Sequence, residues 1–185
     1  MALIMLMKFT IAPRLETDRL ILRGYEVDDF AAMAAYWAEP SMTRYTTGKI
    51  PSREEIWSRM MRYAGMWAKL GYGFWLICEK PTNTMVGSAG FTNMHRDIEP
   101  CQDNWMEQGW SIHPAMEGKG YATEASQAIL SWGQKHYADV RKFCTIHPDN
   151  IASIKVALKC GYREELRLMY ADKPLVQFRL GENGA

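Results

Sequence analysis

The stretch Glu117-Gly118-Lys119-Gly120-Tyr121-Ala122 is where residue types and spacing most directly offer chemistry. Glycine lets the main chain approach a ligand closely, and the start of a helix presents unpaired N–H groups and a partial positive charge. Together they make an anion site suited to phosphate groups. The dipole alone contributes about 0.3–1 kcal/mol at an exposed position, so several N–H bonds must supply most of the affinity. Lys119 either adds a point charge to a phosphate or stays solvated.

Two phosphate motifs fail here. A P-loop needs GxxxxGK[ST], and Gly118-Lys119-Gly120 has neither the leading glycine nor a hydroxyl residue after the lysine. A dinucleotide fingerprint needs GxGxxG or GxGxxA, whereas this run continues to Tyr121-Ala122-Thr123.

Other reactive side chains are scattered. His113 and His147 each precede a proline at a predicted strand end, where a lone histidine ordinarily serves a loop or packing. Cys78, Cys101, Cys144 and Cys160 lie 23, 43 and 16 residues apart, with no CxxC pair and no zinc-like Cys/His spacing. No metal site is expected, and reduced thiols in a cytoplasmic protein fit this pattern. Cys144 falls within a predicted strand, where a buried inert thiol is the default.

The loop must be held between a strand predicted over residues 105–113 and a long helix, because Ala122, Ala125, Ile129 and Trp132 recur at helical spacing. Upstream, residues 18–23 read as a strand and Asp28 or Asp29 as a cap for the helix Phe30–Ala38, stopped by Pro40. Ser52 and Glu55 form a capping box for a helix carrying Ile56, Met60, Tyr63 and Trp67 on one face and ended by Gly71. Residues 73–79 and Met85–Thr92 read as a hairpin, and 95–104 as a polar loop. Downstream come a strand at Lys142–Ile146, a helix capped by Asn150 and ended by Gly161, and closing strands at 163–170 and 175–180. The expectation is an α/β fold: one domain over residues 1–185, with 1–12 a ragged start and a mixed sheet of six to seven strands flanked by four helices.

Composition agrees with a globular domain. The chain has 185 residues with 48% hydrophobic and 23% charged, so wholesale disorder is excluded. A net charge of +1 leaves no electrostatic footprint for nucleic acid or an anionic membrane, so neither is expected as a partner. The apolar start, residues 1–7, precedes its first lysine, the reverse of a secretory signal, and is too short to span a bilayer. A cytoplasmic location follows as an expectation.

A third loop pattern fits. Ile112-His113-Pro114-Ala115-Met116-Glu117-Gly118-Lys119-Gly120-Tyr121-Ala122 resembles the acetyl-coenzyme-A loop of the GCN5-related N-acetyltransferases, whose pattern Gln/Arg-x-x-Gly-x-Gly/Ala falls on Glu117, Gly120 and Ala122. Glu117 departs from that pattern and is assigned only its N–H, since a carboxylate beside a pyrophosphate is repulsive. Leu15-Glu16-Thr17-Asp18-Arg19-Leu20-Ile21-Leu22-Arg23 is similar to the opening strand of the branch that includes the ribosomal-protein N-terminal acetylases. Asn150-Ile151-Ala152-Ser153 and Lys159-Cys160-Gly161-Tyr162 resemble that branch's late Asn-x-x-Ser helix and its ending.

The resemblance implies an acetyl-coenzyme-A-dependent N-acetyltransferase in which an amine attacks the thioester within a ternary complex. It implies a GNAT-like fold with a splayed parallel strand pair beside residues 105–113, where the cofactor arm pairs with open backbone. It places cofactor contacts at Ile112, His113, Glu117, Gly118, Lys119, Gly120, Tyr121, Ala122, Asn150 and Ser153. Glu107, in Glu107-Gln108-Gly109-Trp110, is the implied base, and Ser153 the implied donor to the departing thiolate, with Tyr170 as an alternative donor. The acceptor is a peptide N-terminus or a small-molecule amine. Tyr36, Trp37, Tyr45, Trp67, Tyr72, Phe74, Trp75 and Trp105 supply core aromatics, two or three of them lining a pocket. An acidic loop at 97–103 either attracts a cationic amine or is a solvated surface. The closing strands offer an edge for a homodimer. A binding module that holds acetyl-coenzyme A without transferring the group, or an interaction domain using the fold as a scaffold, are the alternatives.

Overall fold

Ser52 Oγ accepts from Glu55 N–H at 3.2 Å while the Glu55 carboxylate accepts from Ser52 N–H at 2.6 Å, so the capping box forms as its spacing demands. The computed structural model to which these contacts belong describes residues 9–99 and 102–181; the apolar start at 1–7 lies outside it. The boxed helix follows a shorter one: α1 spans Phe30–Ala38 and α2 spans Arg53–Leu70. Gly71, at φ 75°, ends α2 in the left-handed conformation that glycine adopts without strain. Asp29 does not cap α1 with its side chain. Its carboxylate instead takes two bonds of 2.7 Å from the Arg23 guanidinium and one from Glu26 N–H.

The strands are β1 (Leu15–Glu16), β2 (Leu20–Arg23), β3 (Phe74–Glu79), β4 (Met85–Thr92), β5 (Met106–Ile112), β6 (Lys142–Ile146), β7 (Tyr162–Tyr170) and β8 (Lys173–Leu180). They form one sheet in the order β1-β2-β3-β4-β5-β6-β8-β7. Eight strands exceed the six to seven expected, the extra one being the two-residue β1. The β7–β8 hairpin is longer than its sequence suggested. It turns through Ala171 and Asp172, at φ 47° and 60°, with no glycine to mark the turn. β7 is an edge strand of the sheet.

Every neighbouring pair is antiparallel except β5 and β6, joined by the crossover helix α3 (Tyr121–His136). After β6 comes α4 (Ile151–Lys159). One sheet face packs on α3, where Ala125 and Ile129 are buried with Val86, Phe91 and Met106, and Gln108 Nε2 donates to Ser126 C=O. On the other face α1 and α2 bury Met33, Tyr36, Ile56 and Met60, and Tyr63 stacks on Phe74 at 4.6 Å. Among the described residues no helix is long and apolar enough to cross a membrane.

Candidate active site

β5 and β6 pair at only two positions, Met106 with Lys142 and Glu107 with Phe143, and then diverge. Met106 N–H donates across this pair to Arg141 C=O, while His113 N–H donates the other way, to Val86 C=O. Strand alternation therefore turns the main chain of Trp110 and Ile112 toward the gap, where no strand partner among the described residues meets it. This is the splayed parallel pair that the sequence resemblance implied. An extended amide-bearing chain can add to such an edge.

The glycine loop lies at the carboxyl end of β5. Gly118 and Gly120 adopt φ 76° and 83°, and Gly120 caps α3 without any side-chain bond. The first helical bond runs from Glu124 N–H to Gly120 C=O, so the N–H groups of residues 118–123 have no acceptor among the described residues. They form an open donor cradle that fits a pyrophosphate.

Arg19, which precedes β2, holds this cradle in place. Its Nη1 donates to Lys119 C=O at 2.9 Å, its Nε to Glu124 Oε2 at 2.7 Å, and its guanidinium lies 4.6 Å from the Tyr121 ring centroid. Glu124 also accepts from Thr17 Oγ1 at 2.6 Å and from Arg19 N–H at 3.0 Å. Burial opposes ionisation of Glu124, but the bonds from Thr17 and Arg19 outweigh it and hold the carboxyl below its ordinary range.

Glu107 stands where the two strands begin to part, with its side chain only 7% exposed. One carboxylate oxygen pairs with Arg96 of the β4–β5 loop, and the other accepts from Thr145 Oγ1 of β6 at 2.6 Å. The Arg96 guanidinium lies 5.7 Å from the Tyr170 ring centroid. A carboxylate has about four acceptor directions, so two remain for a substrate or water. Thr92, paired with Glu107 in register on β4, lines the same pocket together with Trp105 and Phe143.

Across the gap, Asn150 caps α4, its Oδ1 accepting from Ser153 N–H at 3.1 Å. The Asn150 amide nitrogen and the half-buried Ser153 hydroxyl have no partner among the described residues. His147 Nδ1 accepts from Asp149 N–H at 3.2 Å, and the His147 ring lies 5.7 Å from that of Tyr45. Cys144 is buried, and burial, reinforced by Glu107 and Cys160, pushes its thiol well above the usual range, so it is no nucleophile.

Several assigned residues stand differently from expectation. His113 has its N–H, its C=O and its Nδ1 engaged by Val86, Met116 and Ala115, because it caps the 3-10 turn Pro114–Met116. It is therefore a poor cofactor ligand. Glu117 N–H donates to Pro114 C=O at 3.2 Å, so the one group assigned to it is already occupied. The Tyr121 hydroxyl donates to Glu79, leaving only its N–H facing the cradle. Lys119 Nζ rests 3.3 Å from Met116 Sδ. Most of the aromatic set is core as expected; Trp105 lines the pocket beside Glu107, and the Tyr45 ring lies against that of His147. The acidic loop at 97–103 is described apart from residues 100 and 101, and its Asp103 pairs with His95 at 3.0 Å.

Sequence reasoning missed Arg19, Arg96, Thr92 and Thr145. Only Arg19 carried a signal, as the cation inside the opening-strand motif. The others meet Glu107 only once strand register brings them together.

The acetyltransferase (GNAT) domain model matches residues 19–163. The "uncharacterized N-acetyltransferase YnaD" of Bacillus subtilis (strain 168) is 28% identical over 149 residues, covering 80% of this chain and 82% of that protein. A Bordetella pertussis chain described as a GNAT-family acetyltransferase superposes with a TM-score of 0.81 at 25% identity, over 91% of this chain and 99% of its own. RimL, a ribosomal L7/L12 α-N-protein acetyltransferase solved with coenzyme A, shares the fold at a TM-score of 0.74 and 18% identity, over 90% and 97%.

Proposed function

Because this chain belongs to the GNAT acetyltransferase family and is thus an acyltransferase, we propose that it moves an acetyl group from acetyl-coenzyme A to a primary amine held beside Glu107. The observation that supports this most is the conjunction of an open β5 edge with an uncapped donor cradle at the start of α3. The main chain of Trp110 and Ile112 pairs with the cofactor arm, and the N–H groups of residues 118–123 hold its pyrophosphate. Acetyl-coenzyme A supplies the acetyl group as an activated thioester.

Glu107 takes one proton from the bound ammonium, directly or through a water. The neutral amine nitrogen then bonds to the acetyl carbon as the carbon–sulfur bond breaks. Ser153 Oγ donates a hydrogen bond to the departing thiolate, and Asn150 holds the cofactor arm through its free amide nitrogen. As the amide forms, the nitrogen sheds its second proton to the thiolate, so coenzyme A leaves as the thiol, and the first proton passes from Glu107 to solvent: one proton released per amide formed. Thr145 and Arg96 fix the Glu107 carboxylate and act as positioning residues.

The test is thiol release from acetyl-coenzyme A with a panel of primary amines, for wild type and Glu107→Gln. Amine-dependent release that Glu107→Gln abolishes supports the assignment. Unchanged release by the variant removes Glu107 from it, and no release with any amine points to a binding module.

A further inference from the structure

Phe74 of β3 reaches the face of β5 that carries Glu107. Strand register sets Phe74 opposite Gly90 of β4 and Gly90 opposite Gly109 of β5, and neither glycine has a side chain to block the ring. A Cβ built on Gly109 would stand 3.0 Å from Phe74 Cζ and 3.7 Å from Cε1, so the tip of the ring lies over that glycine. Tyr63 of α2 stacks on the ring at 4.6 Å and an interplanar angle of 7°. Phe74 is nonetheless only half-buried, whereas Trp75 and Leu76 beside it are buried.

Gly109 follows Glu107 by two residues, so both face the same side of β5, about 7 Å apart along the strand. Gln108 between them points the other way, its Nε2 donating to Ser126 C=O at 3.0 Å. In the proposed complex the cofactor arm runs from the cradle past Ile112 and Trp110, so its acetyl end arrives at the level of Gly109. An amine beside Glu107 then brings the carbon next to its nitrogen against the Phe74 ring. Arg96 and Thr145 keep their bonds to the carboxylate throughout.

Resting on that transfer reading, we infer that Phe74 determines acceptor specificity and that the acceptor is a primary amine on an apolar stem, alkyl or arylalkyl. The ring offers no hydrogen bond, so a hydroxyl on that stem loses water there and gains no partner. An apolar stem gains by leaving water, and the face of the ring attracts the ammonium as it approaches. A free amine and a peptide N-terminus with an apolar first residue share this chemistry. The reaction is the acetyl transfer already written.

The experiment follows thiol release and product mass for three pairs: propylamine with ethanolamine, 2-phenylethylamine with glucosamine, and a phenylalanine-initiated with a serine-initiated peptide. The pair that reacts fastest tells a free amine from a peptide. In at least one pair the apolar member is expected to exceed its partner in kcat/KM by about tenfold or more, with Phe74→Ala collapsing the ratio. Gly109→Ala tests the same wall with the Tyr63 stack retained, because its Cβ pushes the ring tip into the space the stem needs. The KM of the preferred amine is expected to rise about threefold or more while acetyl-coenzyme A affinity stays within about threefold. No preference in any pair, a ratio unchanged by Phe74→Ala, or an amine KM unchanged by Gly109→Ala overturns the inference and leaves acetyl transfer standing. If acetyl-coenzyme A binds but no amine is consumed, the transfer reading falls and this inference with it.

Discussion

Thr145 Oγ1 on β6 donates to Glu107 Oε1 on β5 at 2.6 Å, a bond made just where the two strands cease to pair. It ties the carboxylate proposed as base to the far wall of the gap proposed to receive the thioester. On that reading, one divergence of two strands serves both the base and the cofactor slot.

Glu107→Gln keeps the shape of the side chain but removes its capacity to take a proton. We expect kcat to fall by about 10²–10⁴-fold with acetyl-coenzyme A affinity within about threefold of wild type. Steady-state thiol release beside calorimetry checks this, and a KM-only effect contradicts it.

Asn150 and Ser153 separate by what each loses. Asn150→Ala removes the cap on α4, with an expected cost of about 0.5–2 kcal/mol in stability, and weakens coenzyme A binding. Ser153→Ala keeps the main-chain N–H that Asn150 caps, so its stability stays near wild type while kcat drops by roughly 10²-fold. Thermal denaturation, coenzyme A titration and initial rates on the two variants decide it; unchanged coenzyme A affinity in Asn150→Ala removes Asn150 from the cofactor side, and an unchanged kcat in Ser153→Ala removes Ser153.

How much of this was legible beforehand depends on the range of each signal. The Ser52–Glu55 box, the Asn150 cap and the Gly71 stop are local, and each helix end formed where its residues required. The loop at 117–122 was also local, and its glycines carry the positive φ values that its motif demands. The Ala171–Asp172 turn was hidden because both positive-φ positions lack glycine. Asp29 misled because its side chain found Arg23, a partner from another element, instead of the helix it precedes. Arg96 and Thr145 were invisible for the same physical reason: their meeting with Glu107 is set by loop closure and strand register, which no spacing along the chain encodes.

Gly120→Ala places a Cβ on a residue at φ 83°, with Arg19 Nη2 at 3.4 Å from it. The left-handed conformation then costs about 1–2 kcal/mol, and the cradle distorts to relieve it. Coenzyme A affinity is expected to fall by about tenfold or more while the amine KM changes little. Titration of the variant with coenzyme A measures this directly.

Glu124 gives the cradle a pH dependence. Its folded pKa is lowered, so its ionised form contributes stability above the ordinary carboxylate range and loses that contribution as the pH falls through the folded value. The difference in Tm between wild type and Glu124→Gln is expected to be largest at neutral pH and to shrink toward acid. A difference that stays constant or grows below the carboxylate range is inconsistent with the clamp made by Thr17 and Arg19.

The most direct measurement is calorimetric titration of the purified protein with acetyl-coenzyme A in the absence of any acceptor. The open β5 edge and the unpaired N–H groups of residues 118–123 predict binding at one site per chain. No binding at millimolar ligand contradicts the cofactor site, and with it the acetyl transfer built upon it.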